Sequence, residues 1–441
     1  TISEFRLADA RHRQVRNAQQ ACQMLLPRWH RTLENFRDRP AVFLAGRTLR
    51  FGDLDDALGT LPPATSPVLA HGSALEIALA TLRGWRDGQA VLPLEKADAA
   101  RPPLDDLPGE VAHLKLTPGN EGRPRAVLFT AAQLAADADR IVEAMELTPS
   151  VPNLAAVSLS HSYGFSSVIL PMLLHGVPLI SVDVPFPAVV AAAWGGHRRV
   201  VVPAVPSMWR AWSRSGILDG APIALAVSAG APLALDLERA VWERHRLKLH
   251  NFYGASECGG ISYDDSRSPR EEEDDLGSPL PGVGVATDPE GRFLVSSSSV
   301  ALGYDAARPC ERLGDGRFLT PDHGHFRGNR LLLDARGGEA INVAGRKVGP
   351  GRIEATLRAT GMVARVRVFG VPSPDPERVD EVTALVPPAT DLAALRHAAA
   401  ASLAGWELPR HWVRSGSGAD FALPRGVLRE RYLAGELGGG D

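Results

Sequence analysis

Lysine is scarce in this 441-residue sequence, and nearly all of its 48 basic side chains are arginines. The only lysines are Lys96, Lys115, Lys248 and Lys347. A function that needs a lysine ammonium group is therefore restricted to these positions.

Cysteines and long apolar runs are also rare. The three cysteines, Cys22, Cys258 and Cys310, are widely spaced and form neither a disulfide framework nor a metal-binding pattern. No apolar run is long enough to span a bilayer, and no signal-peptide pattern is visible at the start. The net charge of −3 argues against a general binder of nucleic acid or membrane surfaces. We therefore expect a cytoplasmic protein with no membrane span and no nucleic-acid partner.

Short apolar runs alternate with helical stretches from residue 41 onward. Several runs are continuous in Val, Ile, Leu and Ala, which is typical of parallel strands covered on both faces. This alternation predicts an α/β fold with doubly wound sheets. The predicted strands are AVFLAG (41–46), PVLAHG (67–72), AVLPL (90–94), RAVLF (125–129), LAAVSLS (154–160), VPLISV (177–182), RVVVPAV (199–205) and IALAVSAG (223–230).

The second half of the chain changes character. Residues 265–275, DSRSPREEEDD, predict a charged, solvated surface loop. From about residue 338 the pattern predicts a small α+β domain, with helices at 351–360 and 391–403 and strands at 364–371 and 381–386.

Four segments carry polar residues suited to nucleotide chemistry. The stretch LKLTPGNEGRPRAVLFT (114–130) has the spacing of a phosphate-binding loop between two strands. In FYGASE (252–257) Glu257 offers a carboxylate for Mg²⁺, and in TPDHG (320–324) Asp322 offers one for a pair of ribose hydroxyls. His161 lies beside aromatic residues in HSYGF (161–165). Each feature alone is typical of an ordinary turn or core residue, and it is their order that indicates a common site.

Together these segments resemble the adenylate-forming ligases, a family that includes acyl- and aryl-CoA synthetases and acyl-carrier-protein ligases. The resemblance extends over nearly the whole chain and includes VSAGAPL (227–233) and GGEAINVAGRKVGPGRIE (337–354). It implies a large N-terminal domain, residues 1–337, of doubly wound sheets plus a small distorted barrel. A small, mobile C-terminal α+β domain, residues 338–441, would follow. The implied activity is ATP-dependent formation of an acyl-AMP from a small carboxylic acid, aryl acids included. The acyl group then passes to a thiol of coenzyme A or of a carrier-protein phosphopantetheine.

The resemblance also implies roles for individual residues. Tyr253 would stack on adenine, Asp322 would bind the ribose, and Glu257 would bind Mg²⁺. The residues implied in catalysis are Glu257, His161 and Arg425. Those implied in nucleotide binding are Thr117, Gly119, Asn120, Gly122, Arg125, Ala229, Gly230, Ala231, Tyr253, Gly254, Ser256, Asp322 and Arg336. The implied substrate pocket comprises His161, Tyr163, Phe165, Ala229 and Gly254, and the thiol channel comprises Gly345, Arg346 and Lys347.

Three departures from the family pattern affect the first half-reaction. Asn120 and Glu121 replace the usual loop hydroxyls, and Arg125 replaces the loop lysine. In DFALPRGVLRERYL (420–433) no lysine follows Gly426, where the family has a catalytic one, so Arg425 or Arg429 would have to replace it, with Arg425 the preferred candidate. The alternative function is thus a homologue that binds an acid or an acyl-adenylate without efficient adenylation. A kinase-type P-loop protein is disfavoured because the GxxxxGK[ST] motif is absent.

Overall fold

The protein was analysed as a computed structural model, which describes residues 24–64, 67–99, 101–104, 107–117, 124–305, 312–335, 341–343, 346–348, 350–374, 380–437 and 439–440. The chain forms two compact units. The larger unit comprises Thr1–Ala286, Leu294–Leu319 and Gly328–Leu331, and the smaller unit comprises Thr287–Phe293, Thr320–Arg327 and Leu332–Asp441. The domain boundary predicted between residues 337 and 338 lies outside the described residues and stays a prediction.

The larger unit alternates helices and strands, as predicted. Its helices are α1 Leu26–Phe36, α2 Phe51–Thr60, α3 Ala74–Asp87, α4 Ala131–Ala144, α5 Ser162–Gly164, a π-helical segment Phe165–Ile169, α6 Leu170–His175, α7 Pro187–Trp194, α8 Pro206–Ser215 and α9 Leu235–His245. Its strands are β1 Pro40–Leu44, β2 Arg47–Arg50, β3 Val68–Ala70, β4 Val91–Pro93, β5 His113–Thr117, β6 Arg125–Phe129, β7 Asn153–Ala155, β8 Leu179–Ser181, β9 Val200–Ala204, β10 Ile223–Ser228, β11 Leu249–Ala255, β12 Gly259–Tyr263, β13 Asp275–Pro279, β16 Gly303–Tyr304 and β17 Leu313–Gly314. Strands with residues of both units are β14 Gly284–Thr287, β15 Arg292–Ser296, β18 Arg317–Arg327 and β19 Arg330–Ala335.

Two sheets position the candidate site in the larger unit. One contains strands in the order β13-β12-β11-β10-β9-β7-β8-β1-β2, and the contiguous pairs from β11 to β1 are parallel. The other has the order β16-β6-β5-β4-β3, in which β3, β4 and β5 are parallel and β6 returns antiparallel to β5. Every residue of β9, with sequence VVVPA, is buried, as expected for a parallel strand covered on both faces. The predicted α/β class is confirmed.

Local sequence signals set the ends of two helices beside these strands. The Ser73 hydroxyl accepts a hydrogen bond from the Glu76 N–H at the start of α3, and Gly88 ends that helix in the left-handed conformation. At the start of α4 the Thr130 side chain accepts a hydrogen bond from the Gln133 N–H, and the Gln133 side chain accepts one from the Thr130 N–H.

The smaller unit has the predicted C-terminal α+β pattern. A four-stranded sheet in the order β22-β23-β24-β25 carries helices on its flanks, and the hairpin β20–β21 precedes it in sequence. Its strands are β20 Ile341–Val343, β21 Arg346–Val348, β22 Arg367–Pro372, β23 Asp380–Val386, β24 His411–Arg414 and β25 Gly439–Gly440. Its helices are α10 Pro350–Ala359, α11 Leu392–Ser402, a 3₁₀ turn Gly418–Ala422 and α12 Arg425–Leu433. No helix among the described residues is long and apolar enough to cross a membrane.

Two sequence-based predictions need correction. The strand predicted at 154–160 ends at Ala155. The residues after it form a tight turn instead of extended backbone, since a Cβ on Gly164 would lie 2.1 Å from the Ser158 carbonyl oxygen. The segment 265–275 is not entirely a solvated loop, because Arg270 is only 3% exposed. The Arg270 Nε donates a 2.8 Å hydrogen bond to buried Glu238. The burial of Arg270 is therefore compensated by a carboxylate that is 32 residues away in sequence.

Candidate active site

The β5–β6 hairpin places Arg125 at the base of the predicted phosphate loop. Thr117 at the end of β5 pairs with Arg125 at the start of β6, and Arg125 is half-buried. The predicted ligands Gly119, Asn120 and Gly122 lie outside the described residues. The guanidinium carbon of Arg125 lies 3.7 Å from the centroid of the Tyr304 ring, which is close cation–π stacking.

Glu257 reaches the same tyrosine from another part of the larger unit. Its Oε1 accepts a 2.9 Å hydrogen bond from the Tyr304 hydroxyl, and its carbonyl oxygen accepts one from the Ala301 N–H. Tyr304 itself lies on β16, which pairs antiparallel with β6 through Gly303 and Leu128. One side chain therefore contacts the predicted metal ligand and the loop cation.

The predicted adenine contacts follow two adjacent parallel strands. β10 pairs with β11, so Ala229–Ala231 after β10 and Tyr253 on β11 are carried at the same edge of the sheet. Gly230 has a φ of +77°, which glycine adopts without strain. Gly254 is also required, because a Cβ there would lie 2.7 Å from the Gly259 carbonyl oxygen. Ser256 is half-buried in the turn that leads to Glu257.

A buried polar cluster behind this turn was missed by the sequence analysis. Lys115 on β5 donates hydrogen bonds to Ser162 Oγ at 3.0 Å and Ser166 Oγ at 3.3 Å, and its Nζ lies 3.7 Å from Asp137 Oδ2. Burial lowers the pKa of the Lys115 ammonium, and the nearby carboxylates of Asp137 and Glu257 oppose that shift.

Asp137 joins the α4 helix to two site segments. Its Oδ2 accepts a 2.7 Å hydrogen bond from Ser166 and its Oδ1 accepts a 3.0 Å bond from the Gly260 N–H. The sequence does contain a signal for it, because Asp137 falls on the buried helix face between Leu134 and Ile141. A carboxylate at such a position requires partners, but the sequence does not say which.

The three aromatic residues predicted for the acid pocket have different environments. His161 is exposed, and its Nε2 lies 3.3 Å from Glu95 Oε1. The Tyr163 hydroxyl donates a 3.2 Å hydrogen bond to the Val227 carbonyl oxygen, and burial raises the pKa of this phenol. Phe165 is 1% exposed and stacks on the His113 ring at 4.4 Å. Phe165 is therefore part of the core, Tyr163 is half-buried against that core, and His161 is the most accessible of the three.

Glu95, at the end of β4, is a second residue that the sequence analysis missed. The hydroxyls of Ser158 and Ser160 both donate hydrogen bonds to its Oε1, the latter at 2.8 Å. Partial burial raises the pKa of the Glu95 carboxyl, but these hydroxyls and His161 outweigh it and lower the pKa below its usual value. An ionised carboxylate thus lies beside His161.

The remaining predicted residues belong to the smaller unit. Asp322 on β18 is half-buried, and its N–H donates a 3.2 Å hydrogen bond to Thr320 Oγ1. Arg336 and Gly345 lie outside the described residues, while Arg346 and Lys347 lie on β21.

Arg425 at the start of α12 has protein partners. Its Nη2 lies 3.0 Å from Glu354 Oε1 and its Nε donates a 2.9 Å hydrogen bond to the Val368 carbonyl oxygen. The side chain is only 11% exposed. The structure therefore gives Arg425 a packing role, and its catalytic role stays a prediction.

The fold is α/β, and within it Arg125 at the start of β6 and Glu257 after β11 both contact Tyr304. Residues 70–304, 235 of the 441, match the model of the AMP-binding enzyme family. The chain belongs to this family.

Known proteins similar to this chain include several ligases. A feruloyl-CoA synthase of an Amycolatopsis species is 28% identical over 304 residues, which cover 64% of this chain and 62% of that protein. A 3-[(3aS,4S,7aS)-7a-methyl-1,5-dioxo-octahydro-1H-inden-4-yl]propanoyl:CoA ligase of Rhodococcus jostii (strain RHA1) is 28% identical over 296 residues, 62% of this chain and 55% of that protein. The matches thus span about three-fifths of the length of such relatives.

Solved structures share the fold over nearly the whole chain. ATP-bound MatB from Rhodopseudomonas palustris superposes with a TM-score of 0.65 at 20% identity, covering 93% of this chain and 99% of that one. A Mycobacterium tuberculosis fatty acyl CoA synthetase gives a TM-score of 0.68 at 16% identity, covering 94% and 99%.

Proposed function

We propose that this protein is an ATP-dependent carboxylic acid ligase. In the first half-reaction the carboxylate of the acid attacks the α-phosphate of ATP and displaces pyrophosphate, giving acyl-AMP. In the second a thiol attacks the acyl carbon and displaces AMP. The observation that carries the proposal is the convergence of Glu257 and Arg125 on Tyr304, at the base of the predicted phosphate loop, within the family match.

The donor set around Glu257 fits Mg²⁺ bound together with a polyphosphate. Mg²⁺ prefers oxygen ligands and is commonly held by one or two carboxylates plus substrate phosphates and water. The described residues contain no group of three or more His, Cys, Asp and Glu that could hold a metal alone. Glu257 would thus supply the protein ligand, and the bound ion would neutralise charge on the phosphates.

The chain's own residues have distinct proposed tasks in this reaction. Arg125 and the loop that contains Gly119, Asn120 and Gly122 would hold the phosphates, with Thr117 and Ser256 beside them. Tyr253 and Ala229–Ala231 would contact the adenine. A planar guanidinium fixed by stacking keeps its charge at all relevant pH values and can bind two phosphate oxygens at once.

For the acid and the thiol we propose only a chemical class. The names of the feruloyl-CoA synthase and the propanoyl:CoA ligase support a small carboxylic acid, aryl acids included, and coenzyme A as the acceptor. A carrier-protein phosphopantetheine remains the second acceptor to test. His161 beside ionised Glu95 would favour an acid that carries a hydrogen-bond donor near this point.

A second function, binding of an acid or acyl-adenylate without adenylation, is favoured by the environment of Arg425. This arginine is the preferred replacement for the missing lysine, and it is paired with Glu354. Glu121, which falls in the sequence of the predicted phosphate loop, would repel phosphates bound there.

Mass spectrometry of reaction mixtures separates the two functions. The protein is incubated with ATP, Mg²⁺ and a panel of aromatic and aliphatic acids, and then with coenzyme A or a phosphopantetheinylated carrier protein. A ligase gives acyl-AMP first and a thioester in one of the two thiol arms. If a thioester forms from synthetic acyl-AMP but no acyl-AMP forms from ATP, the protein catalyses only the second half-reaction.

A further inference from the structure

Tyr304 connects two charged residues that are far apart in sequence. Its ring lies under the Arg125 guanidinium at 3.7 Å and its hydroxyl donates a 2.9 Å hydrogen bond to Glu257. We infer that Tyr304 is a positioning residue that sets the loop cation and the metal-binding carboxylate relative to each other. This inference rests on the proposed function, in which Arg125 meets phosphate and Glu257 meets Mg²⁺.

The backbone around Tyr304 is fixed on both sides. The Ala301 N–H donates to the Glu257 carbonyl oxygen at 2.9 Å, and the Leu302 N–H donates to the Leu128 carbonyl oxygen at 2.9 Å. The Asp305 N–H donates to the Ala126 carbonyl oxygen, while Asp305 Oδ2 accepts from the Ala126 N–H, both at 2.9 Å. Segment 301–305 is thus hydrogen-bonded both to β6 and to the turn that contains Glu257. These bonds restrict the movement of Tyr304.

The hydrogen bond also fixes the orientation of the Glu257 carboxylate. Tyr304 occupies Oε1, and no donor among the described residues contacts Oε2 of Glu257. A carboxylate with one oxygen held by a neutral hydroxyl keeps its negative charge and has a fixed orientation for the other oxygen. Oε2 would therefore be the oxygen with the more accessible lone pairs for a bound Mg²⁺.

The stacking contact explains how arginine serves in place of the family's lysine. A flat guanidinium lies on an aromatic face and still directs N–H groups outward, whereas an ammonium has no plane to stack. The tyrosine thus performs two separable tasks: its hydroxyl orients Glu257 and its ring orients Arg125.

Two variants separate these tasks. Tyr304→Phe removes the hydroxyl and keeps the ring, while Tyr304→Leu removes both. ATP binding is measured by titration calorimetry without any acid, over a range of Mg²⁺ concentrations, so the readout does not require turnover. Tyr263→Phe is the matched control, because it removes a hydroxyl from another tyrosine of the larger unit whose ring stacks on His250.

Tyr304→Phe should leave the affinity for ATP without Mg²⁺ unchanged. The factor by which Mg²⁺ increases that affinity should fall about tenfold, which is the effect expected from one hydrogen bond to a charged group. Tyr304→Leu should also weaken Mg²⁺-free binding, because Arg125 loses its support. In a Glu257→Gln background, Tyr304→Phe should have no further effect on the Mg²⁺ dependence. A purely structural role would lower the stability of both backgrounds equally and leave the Mg²⁺ dependence unchanged.

The result that overturns the inference is a Tyr304→Phe protein whose Mg²⁺ dependence equals that of wild type. Equal losses from the two Tyr304 variants without Mg²⁺ would also overturn it, because the hydroxyl would then act on the nucleotide itself. Failure of the proposed function has a different signature: ATP binds, with the Mg²⁺ dependence described, but no acid gives acyl-AMP. Absence of any ATP binding by wild type would overturn both.

Discussion

Replacing Asp137 by Asn tests the buried cluster behind the site. The substitution keeps the shape of the side chain, and its amide oxygen can still accept the hydrogen bond from the Gly260 N–H. It removes the negative charge 3.7 Å from the Lys115 ammonium, whose side chain is 3% exposed. Loss of one partner from a buried ion pair costs about 3–5 kcal/mol of unfolding free energy. We expect about 3 kcal/mol at pH 7, because Lys115 can release its proton.

The loss of stability in Asp137→Asn should depend on pH in a definite direction. Burial already lowers the pKa of folded Lys115, and removal of the Asp137 charge lowers it further, with Glu257 still opposing the shift. The unfolded chain then binds more protons than the folded one, so stability increases with pH. The deficit relative to wild type should shrink between pH 7 and pH 9, by up to about 1.4 kcal/mol per pH unit. His113 does not interfere, because burial holds its pKa well below its usual value.

Urea unfolding followed by fluorescence of the buried tryptophans measures this deficit. The control is Glu143→Gln on the same helix, which also removes one negative charge but at an exposed side chain. That change should cost about 0.5 kcal/mol or less. A deficit for Asp137→Asn that is equal at pH 7 and pH 9, or no larger than that of the control, would refute the charge-compensation argument.

Three further predictions concern residues with implied roles. Asp322→Ala should weaken ATP binding by about 1.5–3 kcal/mol in calorimetry, and unchanged affinity would remove the ribose role. Glu257→Gln should lower the rate of acyl-AMP formation far more than it weakens acid binding, and equal kinetics would remove the metal role. Arg425→Ala should lower the free energy of unfolding by about 3 kcal/mol, because buried Glu354 loses its cationic partner and keeps, among the described residues, only the Val368 N–H. If Arg425 is also catalytic, pyrophosphate exchange below the unfolding temperature should fall about 10²-fold, with recovery in Arg425→Lys; normal exchange would make its role structural only.

The fold was predictable because its signals are local. Runs such as RVVVPAV predict buried parallel strands from composition alone, and β9 confirms this with five buried residues. The predicted C-terminal helix at 391–403 is α11, where the Asp391 side chain accepts hydrogen bonds from two backbone N–H groups. Such features depend on neighbours within one or two turns.

The polar contacts of the site depend on residues that the sequence does not place together. No motif in the sequence singles out Tyr304, and its contacts arise from the register of β16 on β6. Arg270 lies in a highly charged run and is nevertheless buried, because Glu238 on α9 receives it. Exposed His161 lies 3.3 Å from Glu95, a residue that follows β4. In each case the partner lies on another element, and only the tertiary fold brings it near.

Exchange of labelled pyrophosphate into ATP tests the proposed ligase activity most directly. The assay contains the protein, ATP, Mg²⁺ and one acid at a time, with the Glu257→Gln variant as the control for contaminating enzymes. The account predicts exchange that depends on a particular acid and falls by about 10²-fold or more in the variant. Absence of acid-dependent exchange across the whole panel, in a protein that binds ATP and acyl-AMP analogues, would contradict the ligase function and leave the binding homologue in its place.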